Sequence, residues 1–368
     1  MNIKRTVKLK IDNQDLKDTV EQYFQAYKFC IDKGIELHTS DKRKIHDATY
    51  YPLRKLYPKI TSNLLLTARD VACENLKKVK LGAIPTPKNK FIRYINKTLS
   101  FKNGLVSIST INGRKKFNII IPECFKKYIN WDCKAGIVTL KDNQLWLNLI
   151  FNKEIEPKSE PKTFIGVDRG ISNIAVASDN TFYNSKQLKN IKGRYQYLKK
   201  KLQSKGTPSA KRHLKRLSGR EKRFVRDVNH CISKELASKD YDCFVLEDLK
   251  KIPRNKGRRF NRKLGNWSYN QLGDFLDYKT EELGGMVIKV NPRLTSQKCF
   301  KCGHTEPSNR NGNRFKCKSC GFELHSDLNA SRNIAQLGKS ELSRLNGIQP
   351  IVAVGTSATN QPSFLGGR

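Results

Sequence analysis

Apolar and polar residues alternate over residues 3–11, with Ile3, Val7, Leu9 and Ile11 set among Lys4, Arg5, Lys8 and Lys10, which predicts a strand with a basic outer face. The period then lengthens. Over 14–34, 43–56 and 60–81 apolar residues recur every three or four positions, as in Val20, Tyr23, Phe24, Tyr27 and Cys30, and helices are expected. Between 98 and 155 the period falls back to two, in runs at 105–108, 117–121, 136–140 and 145–150. One early strand, a helical insertion and several short strands predict a small N-terminal β-barrel (residues 1–12 and 98–156) carrying a helical subdomain (13–97). The stretch from Glu154 to Lys162, with Pro157 and Pro161 among charges, marks a boundary.

Beyond the boundary the pattern is that of an α/β domain. Strands are expected at 163–168, 172–178 and 181–184, followed by a long basic helical region to about 239 and a strand ending at Glu247. A helix over 268–283, with Trp267, Leu272, Phe275, Leu276 and Leu283 on its apolar side, precedes a strand from Met286 to Val290 and a final helix opening at Asp327. This order fits an RNase H-like domain over 162–294 and 322–337, interrupted by a cysteine-rich segment at 295–321, with a loosely ordered tail at 338–368. The fold class is thus a multidomain α+β and α/β chain.

Two of these strands end in a carboxylate. Asp168 follows Phe164-Ile165-Gly166-Val167, and Glu247 follows Cys243-Phe244-Val245-Leu246, runs typical of strands buried on both faces. An acid at a buried strand tip is costly unless it is paired or binds metal. Paired in parallel, the two tips would share a divalent ion, with Asp327 completing the cluster. Oxygen-only ligands favour magnesium or manganese. Two such ions roughly 4 Å apart drive phosphodiester hydrolysis. Taken singly, each acid also has a plain structural role: Asp168 in a turn, Glu247 as a cap, Asp327 facing a helix dipole. Arg332, farther along the Asp327 helix, is a candidate contact to the scissile phosphate.

Cys299 and Cys302, then Cys317 and Cys320, form two Cys-x-x-Cys pairs separated by the fourteen residues 303–316, each followed by glycine. Four thiolates at this spacing converge on structural zinc. His304 and His325 are alternative ligands, though four sulfurs already close a tetrahedral site. Cys30, Cys73, Cys124, Cys133, Cys231 and Cys243 are scattered and read as small buried hydrophobes in a reducing compartment.

Charge points to the partner. Seventy-two Lys and Arg against 33 Asp and Glu give a formal charge of +39, which calls for a polyanion. Segments 187–226 and 250–263 concentrate it, and the latter is expected to line a strand channel. Trp267, Tyr269 and Phe275 are expected in the core rather than as base-stacking platforms. No apolar stretch nears the roughly 20 residues a membrane span needs, and no secretory leader is evident, so a soluble cytoplasmic protein is expected.

The segments Gly166-Val167-Asp168-Arg169-Gly170, Val245-Leu246-Glu247-Asp248-Leu249, Thr295-Ser296-Gln297-Lys298-Cys299 and Ser326-Asp327-Leu328-Asn329-Ala330-Ser331-Arg332-Asn333 resemble the RuvC-type nuclease motifs and zinc ribbon of the TnpB family. These are transposon-encoded, RNA-guided DNA nucleases related to type V CRISPR effectors. The resemblance implies that Asp168, Glu247 and Asp327 are the Mg2+-binding catalytic acids and that Cys299, Cys302, Cys317 and Cys320 hold Zn2+. It also implies a wedge-like barrel and helical recognition region that hold a guide RNA from the element's end, with double-stranded target DNA and its displaced single strand as further partners. A guide-dependent repressor that does not cut, an RNase H-like transposase and a miniature CRISPR effector are the alternatives.

Overall fold

The computed structural model describes residues 2–79, 84–156, 160–249, 257 and 269–345, and the chain divides into two compact units, 1–155 and 156–368. The basic segment 250–263 apart from Gly257, Trp267, Pro157 and the tail beyond 345 lie outside the described residues.

In the first unit, β1 (Asn2–Ile11) buries Ile3, Val7, Leu9 and Ile11 as the alternation predicts. Three helices follow: α1 (Gln14–Glu36), α2 (Lys42–Leu56) and α3 (Ser62–Leu76). Asn13 caps α1 by accepting from Leu16 N at 2.9 Å, and Asp41 caps α2 through Arg43 N and Lys44 N. Tyr23, Phe24, Tyr27 and Cys30 of α1 enter one core together with the strand residues. The later strands are β2 (Lys90–Ile95), β3 (Leu99–Lys102), β4 (Leu105–Thr110), β5 (Gly113–Asn118), β6 (Asp132–Lys141) and β7 (Gln144–Glu154). They form two sheets, β1-β7-β6-β2 and β3-β4-β5, and no ladder joining the two is among the described pairings. The strand expected at 117–121 instead occupies 113–118. Alternation continues only to Phe117; Ile120 is 93% exposed and Pro122 denies the next residues a ladder donor.

The second unit is built on the sheet β10-β9-β8-β11-β12, from β8 (Phe164–Asp168), β9 (Asn173–Ala177), β10 (Phe182–Asn184), β11 (Cys243–Glu247) and β12 (Met286–Val290). β8 pairs antiparallel with β9 but parallel with β11, which in turn pairs parallel with β12. The long basic region between β10 and β11 is two helices, α4 (Lys186–Lys205) and α5 (Pro208–Ala237). Gly206, at φ 65°, ends the first; Thr207 caps the second through Ala210 N, and Pro208 opens it. α6 (Tyr269–Glu282) buries Leu272 and Leu276, whereas Leu283 falls beyond its end and is exposed.

Helices cover both faces of the sheet, which is why the strands are apolar throughout. Ile232 and Leu236 of α5 and Leu272 and Leu276 of α6 pack with Ile165, Val167 and Phe244 on one face. On the other, Cys243, Val245 and Val290 meet Ile334 of α7 (Ser326–Leu345). That helix runs eight residues past the expected end at 337, because Ile334 and the glycine face at Gly338 keep it docked on the sheet. A Cβ at Gly166 would lie 2.0 Å from Ser331 O, and one at Gly338 would lie 2.2 Å from Val245 Cγ2. Close approach at these two points seats α7 on β8 and β11.

Candidate active site

Parallel pairing aligns Val167 with Leu246, so the next positions, Asp168 and Glu247, leave the same end of the sheet side by side. Asp327 comes from the first turn of α7, 6% exposed. Burial first, then the charges of Glu247 and Asp327, hold the Asp168 carboxyl well above the usual range despite the opposing Arg310 and Arg169. Burial likewise raises Glu247, against the hydrogen bond from Thr295 and the charges of Arg169 and Arg310. Like charges gathered in a buried place, short of compensating cations, are what a divalent ion would satisfy, and the donors are all oxygen.

Several partners hold the acids in position. Asn173 Nδ2 donates to Asp327 Oδ2 at 2.9 Å, and Arg310 donates to Asp327 Oδ1 at 3.0 Å. Thr295 Oγ1 donates to Glu247 Oε1 at 2.5 Å. Arg169, 5% exposed, donates to the backbone carbonyls of Glu247 and of Tyr269, the latter at 2.9 Å. Its guanidinium fills the space beside Gly273, where a Cβ would come within 2.6 Å of Arg169 Nη1. Arg169 and Thr295 fall within the quoted motif segments without any local sign of these roles, and Arg310 lies outside them. Arg332 lies over the Phe300 ring at 5.6 Å, and the arginine set beside Asp327 is Arg310.

The four cysteines do converge. Their sulfurs all lie within 4.8 Å of one another, with Cys299–Cys320 at 3.8 Å and Cys302–Cys317 at 3.5 Å. A tetrahedral sulfur set at ~2.3 Å from zinc has edges of ~3.8 Å, so the cluster could hold such an ion. Gly303 at φ 79° and Gly321 at φ 71° adopt the left-handed conformation that each knuckle turn requires. Short strands β13 (Arg310–Asn311), β14 (Arg314–Lys316) and β15 (Glu323–His325) complete the segment. His304 contacts Glu306, and His325 Nδ1 lies 3.2 Å from Asp327 N; neither belongs to the cluster. Of the other cysteines, Cys30, Cys73 and Cys243 are buried as expected, but Cys124 and Cys231 are exposed, one on a short surface turn and one on the outer side of α5.

The acids at the strand ends and the four-cysteine pair lie within segments that known protein families also match. A family model described as "Probable transposase" matches residues 147–252, and one described as "Cas12f1-like, TNB domain" matches residues 269–334. TnpB-like protein MJ0751 of Methanocaldococcus jannaschii is 30% identical over 253 residues, 62% of this chain and 89% of that protein. The chain belongs to the TnpB-like family.

Putative RNA-guided DNA endonuclease InsQ of Escherichia coli K12 is 25% identical over 352 residues, 90% of this chain and 75% of InsQ. A CRISPR-associated endodeoxyribonuclease Cas12f1 of Sulfoacidibacillus thermotolerans is 48% identical over 91 residues, 24% of this chain but only 21% of that protein. The solved Cas12f1–sgRNA–target DNA complex aligns at a TM-score of 0.41 and 18% identity, over 90% of this chain and 99% of that one.

Proposed function

We propose that this chain is the RNA-guided DNA endonuclease of a transposable element. What supports it is that Asp168 and Glu247 end neighbouring parallel strands, with Asp327 near enough to raise the Asp168 carboxyl, in a chain whose relatives include one named as a putative RNA-guided DNA endonuclease. In this reading residues 162–294 and 322–337 are a RuvC-like nuclease domain and 295–321 its zinc ribbon, with Zn2+ on Cys299, Cys302, Cys317 and Cys320. Residues 1–12 and 98–156 are the wedge-like domain and α1 to α3 the recognition helices; β2, expected within the helical part 13–97, pairs with β6 and goes with the wedge-like sheet instead. Together with the basic surfaces they hold a guide RNA from the element's end. Base pairing then selects the double-stranded target, and protein reads a short flanking motif.

Asp168, Glu247 and Asp327 would hold divalent cations, with magnesium the natural choice for all-oxygen donors. The chemistry supplied there would be activation of a water and stabilisation of the leaving oxygen of the displaced single strand. The protein's own residues supply the frame. Arg169 braces the Glu247 backbone, Asn173 and Arg310 orient Asp327, and Arg310 adds a fixed positive charge next to the acids. Arg332, farther along the Asp327 helix and set over the Phe300 ring, is the candidate contact to the scissile phosphate.

Replacing Asp168 with Ala tests the assignment. Guided cleavage of a matched target should fall by at least about a thousandfold, the scale of losing an essential catalytic group, while guide and target binding stay near wild type. Binding lost along with cleavage would instead mark Asp168 as structural.

A further inference from the structure

Glu247 ends β11 half-buried, and one side chain aims it. Thr295 is 3% exposed, and its hydroxyl donates to Glu247 Oε1 at 2.5 Å while lying 3.1 Å from the Pro292 carbonyl. A hydroxyl has one proton, and donation to an ionised carboxylate is charge-assisted, so the proton goes to Glu247. Held by one oxygen, the carboxylate loses the broad terminal rotation that a glutamate otherwise keeps.

Thr295 is itself placed by an unusual turn. Leu294, the residue before it, has φ 65°, a conformation leucine rarely adopts, and its carbonyl accepts from Gln297 N and Lys298 N at 3.0 Å each. Asn333 of α7 secures the turn: its Nδ2 donates to Thr295 O at 2.9 Å and to Lys298 O at 2.7 Å. Two carbonyl partners fix the amide's orientation, since a flip would set oxygen against oxygen. Among the described residues Asn333 Oδ1 is buried with no partner, so the amide contributes here through its nitrogen. One turn earlier, Asn329 accepts from Phe300 N at 3.0 Å and donates to Lys298 O at 2.8 Å, gripping both neighbours of Cys299. The helix that begins with Asp327 therefore holds the first cysteine knuckle and the turn that aims Glu247.

We propose that Thr295 is the positioning residue for Glu247, and that Asn333 fixes Thr295 to the Asp327 helix so that the two carboxylates are set relative to one another through this relay. The proposal rests on the nuclease reading above. Without the hydroxyl, Glu247 swings and cation capture weakens, while nucleic-acid binding is untouched.

The test compares Thr295→Val, Thr295→Ser, Asn333→Ala and the Val/Ala double variant as full-length proteins, with zinc content and thermal unfolding as controls for folding. Two quantities are read: Mn2+ affinity of nucleic-acid-free protein by electron paramagnetic resonance, and the Mg2+ needed for half-maximal cleavage by the guide-loaded complex. Thr295→Val should weaken both by about tenfold or more, as losing a group that orients a metal ligand does. Thr295→Ser should stay within about twofold of wild type, and target binding in EDTA should not change in either. Should Val fail to fold, Thr295→Ala removes the same hydroxyl with less steric demand. The double variant should be no worse than Thr295→Val alone, because both act through one relay. Wild-type cation affinity in Thr295→Val, an equal loss in Thr295→Ser, or additive losses in the double variant would each overturn the positioning role. A wild-type complex that binds its target but neither cuts nor takes up Mn2+ overturns the nuclease reading itself.

Discussion

At the residue scale, the Asp168 carboxyl has the clearest consequence. Burial and the neighbouring acids raise its proton affinity in the folded, cation-free protein. In the pH range just above that of an ordinary aspartate, the folded state holds a proton that the unfolded state has released. Stability of the cation-free protein therefore falls as pH rises through this range. A divalent ion must displace the same proton, so its affinity should rise with pH and its binding should release protons. Calorimetry of Mn2+ binding in buffers of different ionisation enthalpy measures that release, and Asp168→Asn should abolish Asp168's share of it. Asp168 and Glu247 were conspicuous in the sequence because a carboxylate ending an apolar run is a local anomaly, and Asp327 because it opens a helix within a quoted motif. Their partners were not. Asn173 reaches Asp327 across 154 positions, and Arg310 is one basic residue among 72 until the fold brings it there. Thr295 lay within a motif, but its hydroxyl gains meaning only from the turn at Leu294.

At the element scale, the site depends on how closely α7 sits on the sheet. Gly166→Ala would drive a methyl into the Ser331 carbonyl and the Ala335 nitrogen, both backbone, which cannot rotate away. A loss of about 1–3 kcal/mol or more is expected from such overpacking, read as a lowered midpoint in urea. Gly193 in α4 is the contrast: nothing lies within 4 Å of its added Cβ, and Gly193→Ala should stabilise by up to about 1 kcal/mol. Strand periodicity was legible wherever both faces of an element are packed or cleanly alternate, as in β1 and β11. It failed where composition and packing part company. Ile119 to Ile121 look like a strand but leave the sheet before Pro122, and the basic stretch after β10 read as one helical region until Gly206, Thr207 and Pro208 divided it. The two-sheet arrangement of the first unit was not legible either, since pairing partners are chosen by contacts between distant strands rather than by the alternation within each.

At the scale of the whole molecule, the excess of positive charge is far larger than solubility requires, and no helix among the described residues is long and apolar enough to cross a membrane. Most of the chain carries that charge on elements anchored by a core. α4 does not. It has no acidic residue and no buried one; Lys186, Lys189, Lys192, Arg194, Lys199, Lys200, Lys201 and Lys205 repel one another along it. A helix of this kind is marginal alone in water, and self-repulsion makes it more so. Its backbone amides should exchange with solvent far faster than those of α7, and a bound polyanion should slow them by cancelling the repulsion. Hydrogen exchange with and without RNA would show it. In that sense a bound polyanion would act on this helix as a folding cofactor, adding stability that its own side chains supply only in part.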